Sequence, residues 1–220
     1  MNLKRNSKFN VGLFWTWDLG LGAWSLGLLF LILYSLFFIL YSSGCLAQEM
    51  DDDHEYTSIA EAMVHPENVY KLNLRKQKLK EIPAEVFQLT NLRTLNLSKN
   101  KITAVPKEIG LLTNLTELDL SDNKIELLPM EIGNLTNLKK LIVGKNDLYS
   151  LPSSMGKLSS LEYLDLWSNN LIELPKEMNG LSNLKTVDLR LIQINKNRQH
   201  DIQEVLPHTL IYFSQSCGCD

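Results

Sequence analysis

The hydrophobic and polar positions between Val69 and Asn183 repeat with a period of 23 residues. Five consecutive segments share one arrangement of leucine, asparagine and proline, and an incomplete sixth begins at Leu184. They read VYKLNLRKQKLKEIPAEVFQLTN, LRTLNLSKNKITAVPKEIGLLTN, LTELDLSDNKIELLPMEIGNLTN, LKKLIVGKNDLYSLPSSMGKLSS and LEYLDLWSNNLIELPKEMNGLSN. A fixed period of this length indicates a solenoid, in which each repeat packs on its neighbours. We number these segments repeats 1 to 5, and the incomplete one repeat 6.

The first half of each repeat predicts a β-strand. Apolar residues there alternate with polar ones, as expected of a strand that buries one face. The alternating pairs are Leu95 and Leu97, Leu118 and Leu120, Leu141 and Val143, Leu164 and Leu166, and Val187 and Leu189. The second half of each repeat must then return the chain across the far side, so neighbouring strands are predicted to be parallel.

The second half of each repeat carries the residues that this return requires. A proline ends each strand segment at Pro83, Pro106, Pro129, Pro152 and Pro175. Apolar side chains then point back into the same core: Ile109, Ile132, Met155 and Met178, with Leu112, Leu135, Leu158 and Leu181. Gly110, Gly133 and Gly156 are predicted to supply a tight or left-handed bend, and Asn179 takes their place in repeat 5.

One asparagine per repeat is predicted to be structural. Asn100, Asn123, Asn146 and Asn169 follow the strands at the same position. An inward-pointing amide there must be satisfied, and backbone groups of its own and adjacent turns can do so, which predicts an asparagine ladder. Gln77 and Ile192 occupy this position in the terminal repeats and mark where the ladder stops.

These repeats are identified as leucine-rich repeats. The predicted fold class is an α/β solenoid, a horseshoe with parallel strands on the concave face and short helices or irregular turns on the convex face. The motif LPxxIGxLxNL resembles the Ras-group leucine-rich repeat proteins of plants and animals and repeat domains exported by bacteria. This resemblance covers residues 69–195. The segments EYTSIAEAMVHPENVYKLNL and VLPHTLIYF are similar to capping pieces of secreted bacterial members, which favours an exported protein over a cytosolic Ras-binding one.

Residues 1–48 are predicted to direct export. Residues 1–18 are basic and aromatic, and residues 19–48 contain no charged side chain. A basic start followed by an apolar segment is typical of a signal peptide, and cleavage after Ala47 is one interpretation. Lipidation of Cys45 and retention of the segment as a transmembrane anchor are alternatives. A translation start downstream of Met1 is another. In each case the repeats are predicted to lie on the extracytoplasmic side.

The remaining segments are predicted to cap the solenoid. Residues 49–68 form an acidic linker and a short helix that begins with the capping box Ser58 to Glu61 and covers the edge of repeat 1. Residues 196–220 form a C-terminal cap, with a helix over 197–206, a strand over 210–213 and a tail. The tail contains Cys217 and Cys219, for which an unstructured end, a local disulfide and a metal site with His200 or His208 are alternatives.

Composition excludes several classes of function. The formal net charge of −3 argues against a nucleic-acid-binding surface, which would be basic. No histidine stands at a recognised catalytic spacing from a serine, cysteine or carboxylate, so we expect no enzymatic activity. We assign no catalytic residue, cofactor or metal site, and only weak cation binding by Asp165 and Asp188 is considered. The Asn-x-Ser/Thr triplets arise from the repeat itself.

The strand face of repeats 4 to 6 is the predicted binding site. Outward positions in the earlier repeats are mostly small and polar, whereas the later ones gather aromatic, apolar and charged residues, as protein-binding hot spots do. The candidate residues are Ile142, Tyr163, Asp165, Trp167, Asp188 and Arg190. The expected partner is a protein or peptide bound by an exported or membrane-tethered module. The alternative is an envelope-anchored structural or adhesion element without one specific ligand.

Overall fold

The computed structural model describes residues 54–214. This region contains one parallel β-sheet, whose eight strands lie side by side in chain order. The strands are β1 Glu55–Tyr56, β2 Lys71–Asn73, β3 Thr94–Asn96, β4 Glu117–Asp119, β5 Lys140–Ile142, β6 Tyr163–Asp165, β7 Thr186–Leu189 and β8 Leu210–Phe213. Each of repeats 1 to 6 supplies one strand, from β2 to β7. This is the α/β solenoid of the leucine-rich repeat type that the sequence predicts.

The register of the sheet keeps the 23-residue period. Leu72 lies beside Leu95, Leu95 beside Leu118, and Leu118 beside Leu141. These leucines are fully or almost fully buried. At roughly 1.5–3 kcal/mol for each buried leucine, this apolar column contributes far more than surface contacts do, so the stacking of repeats stabilises the sheet.

Short 3-10 helices form the return side of the solenoid. They are Pro66–Asn68, Ala84–Gln88, Lys107–Leu111, Met130–Asn134, Ser153–Lys157 and Lys176–Gly180. In repeats 1 to 5, the proline that recurs in each repeat immediately precedes the 3-10 helix. Its fixed φ suits the start of a helix. The apolar residues Ile109, Ile132, Met155 and Met178 point inward and are completely buried, as predicted.

The glycines of the return side were predicted to supply a tight or left-handed bend. Gly110, Gly133 and Gly156 lie in tight 3-10 turns, but none of them has a left-handed, positive φ. Each instead lies where the next repeat approaches closely: a Cβ atom on Gly133 would sit 2.5 Å from the Ser154 carbonyl oxygen. Glycine is therefore needed for packing between repeats.

Left-handed backbone occurs elsewhere, immediately before the ladder position. Residues with φ between 55° and 61° are Lys76, Lys78, Lys99, Asp122, Lys145, Ser168 and Leu191. Six of these recur every 23 residues, and none is glycine, although a left-handed conformation costs roughly 1–2 kcal/mol for an ordinary residue. The hydrogen bonds that follow in each repeat hold the chain in this bend.

The four predicted ladder asparagines bond the backbone of two repeats at once. The Asn146 amide nitrogen donates to the carbonyl oxygens of Leu120 and Val143, at 3.0 and 2.9 Å. Its Oδ1 accepts from the Ile125 amide at 3.0 Å. Asn100, Asn123 and Asn169 make the same set of bonds. In repeat 1 the amide of Gln77 extends the series by donating to the Thr57 carbonyl.

A second asparagine ladder lies before the strands and was not predicted. The side-chain amides of Asn91, Asn114, Asn137 and Asn183 each donate to the carbonyl 24 residues earlier, over 2.8–2.9 Å. Ser160 occupies this position in repeat 4. The triplet Asn114-Leu115-Thr116 therefore owes its asparagine to a hydrogen bond between repeats.

The N-terminal cap contains a strand that the sequence analysis missed. Glu55 was assigned to a loose acidic linker, but β1 pairs with β2 and covers the sheet edge that a helix was expected to cover. Tyr56 is buried beside Leu72 and extends the core outward. The short helix α1, Ile59–Ala62, follows, and the Ser58 hydroxyl caps it by accepting from the Glu61 amide at 3.2 Å.

The C-terminal cap agrees with the prediction. Helix α2 spans Lys196–Val205, and the Asn195 side chain caps it by accepting from the Arg198 amide. Ile202 and Leu206 are buried against the last repeat. The strand β8 then pairs in parallel with β7.

Several predictions concern residues outside the described range. They are the export segment 19–48, lipidation of Cys45, and the state of Cys217 and Cys219. Between residues 54 and 214, no helix has the length and apolar character needed to cross a membrane.

Candidate functional site

The candidate site lies on the outward face of the parallel strands. In each repeat the second residue of the strand points into the core, so the first and third residues, and the one two positions beyond, point outward. In repeats 2 and 3 these outward residues are small or polar, as predicted. They are Thr94, Asn96, Glu117, Asp119 and Ser121, whereas Ser98 at the equivalent position in repeat 2 is only 3% exposed.

Repeats 4 to 6 bring the six predicted residues onto adjacent strands. Tyr163, Asp165 and Trp167 lie on one face of β6 and its extension. The strand register places Ile142 of β5 on one side of Asp165 and Asp188 of β7 on the other. Neighbouring parallel strands are about 4.8 Å apart, so these residues form one continuous surface. We call the six residues, with Leu210 and Tyr212, the aromatic patch.

The acidic residues of this face also hold the backbone. The Asp165 Oδ1 accepts from the Trp167 amide at 2.8 Å, and the Asp119 Oδ1 accepts from the Ser121 amide at 2.9 Å. Asn73 and Asn96 accept from the amide two residues ahead in the same way. These side chains therefore fix the turn that follows each strand.

The buried side chain of Asp188 forms an ion pair with the exposed side chain of Arg190. The guanidinium donates through Nε and Nη2 to both carboxylate oxygens, with Nη2 2.6 Å from Oδ2. Burial alone would raise the pKa of the Asp188 carboxyl. The side-chain and backbone hydrogen bonds from Arg190 outweigh it, and the pKa lies below its usual value.

The pKa of the Asp165 carboxyl is shifted in the opposite direction to that of Asp188. Burial raises the pKa of its carboxyl, the Trp167 amide hydrogen bond opposes this increase, and the negative charge of Asp188 adds to it. The repeat beside it has no side chain at the equivalent outward position, Gly144. A Cβ atom on this glycine would lie 2.9 Å from the Asp165 Oδ1, so the missing side chain gives the carboxylate its space.

The aromatic rings of the patch are in contact with cations. The Lys145 ammonium lies 5.2 Å from the centre of the Trp167 ring, and the Arg190 guanidinium carbon lies 5.8 Å from the centre of the Tyr212 ring. Burial, followed by the charges of Asp165 and Asp188, raises the pKa of the Tyr163 hydroxyl. These contacts orient the rings and show that their faces attract positive charge.

Two residues of the patch were missed by the sequence analysis. Leu210 and Tyr212 of β8 lie beside Thr186 and Asp188 and have 56% and 45% of their surface exposed. The strand itself was predicted, and the alternation within LIYF gave the available signal for its outward face. The outward face considered in the sequence analysis therefore ended one strand before the sheet does.

The possible metal ligands of the described residues are dispersed. Between residues 54 and 214, no three histidine, cysteine, aspartate or glutamate side chains are placed to hold a metal ion together. Both carboxylate oxygens of Asp188 accept hydrogen bonds from Arg190. The weak cation site considered for Asp165 and Asp188 would therefore lack a second free carboxylate. His54 and His200 make exposed contacts with glutamates, and the His54 ring also packs edge-on against Tyr56.

Comparison with solved structures gives three informative similarities. A leucine-rich repeat protein of Leptospira interrogans is 40% identical, with a TM-score of 0.60 over 66% of this chain. Internalin C2 of Listeria monocytogenes is 26% identical, with a TM-score of 0.57 over 67%. The plant peptide hormone receptor RGFR1, solved in complex with RGF2, is 30% identical, with a TM-score of 0.57 over 67%.

The matched regions are parts of longer proteins. The similarity covers 36%, 62% and 24% of those three chains, in the same order. No curated protein sequence matches this chain significantly. The sequence profile described as a leucine-rich repeat region matches residues 68–214, from just before β2 to just after β8. The chain therefore belongs to the leucine-rich repeat family.

Proposed function

We propose that this protein is a non-enzymatic interaction module that binds a protein or peptide on the aromatic patch of its strand face. Leucine-rich repeat folds typically serve binding, and the similar plant receptor is a peptide hormone receptor solved with RGF2. The similarity to these proteins supports a protein partner in general. The position of the site rests on the chemistry of this chain's own surface.

The observation that carries the proposal is the chemical contrast along one continuous face. Repeats 2 and 3 present short polar side chains, whereas β5 to β8 present Ile142, Tyr163, Trp167, Leu210 and Tyr212. Aromatic residues surrounded by charged ones are typical of protein-binding hot spots. Contiguous exposed apolar side chains rimmed by polar ones often mark a protein interaction site, and here they lie on four adjacent strands.

The test compares two variants in a capture experiment with immobilised protein. Tyr163→Ala with Trp167→Ala removes the centre of the patch, and Thr94→Ala changes the outward position in repeat 2 that matches Tyr163. We expect a specific protein to be retained by the unaltered chain and the repeat 2 variant, and to be lost from the patch variant. Equal retention by all three proteins would contradict the proposed site.

The proposal extends to the location of the module. The uncharged segment 19–48, with basic residues before it and Asp51 to Asp53 after it, favours export with the repeats on the extracytoplasmic side. Either a cleaved signal peptide or a retained anchor accounts for this pattern. Retention of segment 19–48 as a membrane anchor would instead favour a second candidate function, an envelope-anchored structural or adhesion element.

Mass and N-terminal sequence of the mature protein distinguish these two candidates. A soluble product that begins at Gln48 would support a free secreted module. An intact chain in the membrane fraction, or one lipidated at Cys45, would support the anchored element and rule out the free form.

A further inference from the structure

Three aspartates occupy the same outward column, and they differ in how well their carboxylates are satisfied. The Asp119 Oδ1 accepts from both the amide and the hydroxyl of Ser121, at 2.9 and 2.6 Å. Asp188 accepts from the amide and the guanidinium of Arg190. Among residues 54–214, the Asp165 carboxylate accepts only from the amide of Trp167. An ionised carboxylate can accept about four hydrogen bonds, so Asp165 retains most of its capacity.

Within the described residues, no cationic side chain forms an ion pair with Asp165, a contact of 4.0 Å or less between nitrogen and oxygen. Arg190 is committed to Asp188, and Lys145 lies over the Trp167 ring. On the side of repeat 4, Ile142 and Gly144 offer no side-chain hydrogen-bond donor.

Aromatic residues stand on both sides of this carboxylate along the strand. Tyr163 and Trp167 lie two residues before and two residues after Asp165 on the same face, about 6.6 Å away at the rise of a strand. The position of Lys145 shows that the Trp167 ring accepts a cation on its face. A carboxylate between two aromatic rings matches a long cationic side chain, whose apolar stem packs on rings while its charged end reaches the oxygen.

We propose that the aromatic patch binds a basic peptide through one arginine or lysine side chain, with the charged group on Asp165 and the stem between Tyr163 and Trp167. This inference rests on the proposed function and specifies its partner. Asp165 is a binding residue in this arrangement, and Gly144 provides the space that its carboxylate occupies.

The electrostatics of the patch agree with this assignment. Burial and the neighbouring carboxylate of Asp188 raise the pKa of Asp165. The other charged or titratable groups that act on this carboxyl are Arg190 and Asp119, and Arg190 only partly offsets the increase. An additional cation from a partner would favour the ionised form.

The tryptophan content of the chain provides a direct readout. Of its four tryptophans, Trp15, Trp17 and Trp24 precede residue 48, so Trp167 alone remains in a chain of residues 48–220. This fragment contains the whole apolar core from Tyr56 to Leu206 with both capping elements, and residues 50–220 form a compact unit. Its fluorescence therefore reports on the patch alone.

The experiment titrates this fragment with two acetylated and amidated pentapeptides, Ala-Ala-Arg-Ala-Ala and the same peptide with uncharged citrulline in place of arginine. We expect a saturable change in Trp167 fluorescence with the arginine peptide in the millimolar range, and binding of the citrulline peptide at least about tenfold weaker, since 1.4 kcal/mol corresponds to a factor of ten. Equal responses to both peptides, or no saturable response to either, would overturn the inference.

Two matched variants identify the residue responsible. Asp165→Asn removes the charge and keeps the acceptor for the Trp167 amide, because Asn73 and Asn96 make this bond in repeats 1 and 2. Asp119→Asn makes the same change two strands away. We expect the preference for arginine over citrulline to be lost in the first variant and kept in the second. Retention of the preference in both variants would exclude Asp165.

The outcomes also separate this inference from the proposed function. If a captured protein partner is lost with Tyr163→Ala and Trp167→Ala but retained with Asp165→Asn, the patch binds a partner without the cationic contact. The module would then stand and the present inference would fail. If no protein depends on the patch, a charge-dependent peptide response would show a cation subsite without the proposed module.

Discussion

Single residues of this protein make different contributions according to where their hydrogen bonds lie. Asn146 belongs to the inner ladder and is 6% exposed, whereas Asn137 belongs to the outer ladder and is exposed. Both bond backbone groups of a neighbouring repeat. Water can replace the partner of the outer residue but not those of the inner one. An asparagine therefore contributes more to stability in the inner ladder than in the outer ladder.

The two ladders can be compared by truncation. Asn146→Ala leaves the buried Ile125 amide without a partner and removes one of two donors from the Leu120 and Val143 carbonyls, which keep Asn123 and Asn169. We expect it to lower the free energy of unfolding by about 1–3 kcal/mol. Asn137→Ala removes one exposed bond to the Thr113 carbonyl, and we expect a loss within about 1 kcal/mol. Urea denaturation of both variants measures the difference. Equal losses would mean that the inner ladder is not specially protected from water.

The aspartates of the patch predict opposite dependences of stability on pH. The pKa of Asp165 is raised by burial, so its protonated form stabilises the fold below the ordinary value of 3.8 and this contribution is lost as the pH rises through the raised value. The pKa of Asp188 is lowered, because hydrogen bonds from Arg190 outweigh burial. Its contribution is present above 3.8 and is lost as the pH falls through the lowered value.

Denaturation of Asp165→Asn and Asp188→Asn at pH 7 and pH 3 tests these signs. At pH 7 we expect Asp165→Asn to be more stable than the unaltered chain by less than about 1 kcal/mol, because solvent screens a half-exposed group. We expect Asp188→Asn to be less stable at pH 7. Both differences should shrink at pH 3. A destabilised Asp165→Asn at neutral pH would show that its charge is compensated in the fold.

At the scale of the elements, the return side of the solenoid is limited by how closely the repeats approach. Gly133 faces the Ser154 backbone of the next repeat, whereas a Cβ atom on Gly180, at the end of the last return helix, would meet no atom within 4 Å. Both glycines occur in short 3-10 helices. Only the first is required by packing.

Alanine substitutions separate these two situations. In Gly133→Ala the new Cβ atom would displace backbone, so we expect a loss of about 1–3 kcal/mol in the free energy of unfolding. Gly180→Ala restricts the unfolded chain without a clash, and we expect a gain of up to about 1 kcal/mol. Thermal unfolding followed by circular dichroism compares them. A neutral Gly133→Ala would mean that the repeats can move apart at little cost.

The elements that could be predicted from the sequence are those set by the 23-residue period. Alternating leucines predicted β3 to β7, and the asparagine column predicted the inner ladder, because both depend only on position within the repeat. Glu55 in β1 was missed because a two-residue strand has no period of its own. The outer ladder was missed although its asparagines recur just as regularly, since the return side gave no reason to expect a satisfied amide there.

The candidate site was predicted less completely than the fold. Tyr163, Asp165 and Trp167 could be assigned to one face because alternation determines which residues point outward. Tyr212 was not assigned to this face, because its place depends on the register between β8 and β7. The cap helix α2 lies between these two strands in the sequence, so their register does not follow the 23-residue period. The pairing of Asp188 with Arg190 depended on rotamers, which a sequence pattern does not give.

At the scale of the whole described region, the protein is a stack in which each repeat contacts mainly its neighbours. Strands pair only with the strands before and after them, and the offset between β2 and β7 is always one period. Stability is then a sum of repeats and the interfaces between them. The aromatic patch uses only the C-terminal strands, so the N-terminal repeats serve to support it.

Removal of one whole repeat tests this description. Deletion of residues 94–116 takes out 23 positions and brings β2 next to the former β4 in an unchanged register. We expect a folded protein with a lower unfolding temperature and unaltered Trp167 fluorescence, because one interface is lost far from the patch. Deletion of residues 94–115 shifts the register by one position and should prevent folding, since a shift of one residue turns the leucines outward.

The constant register also has a consequence for inheritance. Neighbouring repeats are encoded by similar stretches of DNA, and unequal recombination between them adds or removes whole multiples of the structural period. Such an event preserves both the reading frame and the alignment of every asparagine and leucine with its counterpart. The length of the solenoid can therefore change in a single genetic step, while the aromatic patch near its C-terminal end is passed on intact.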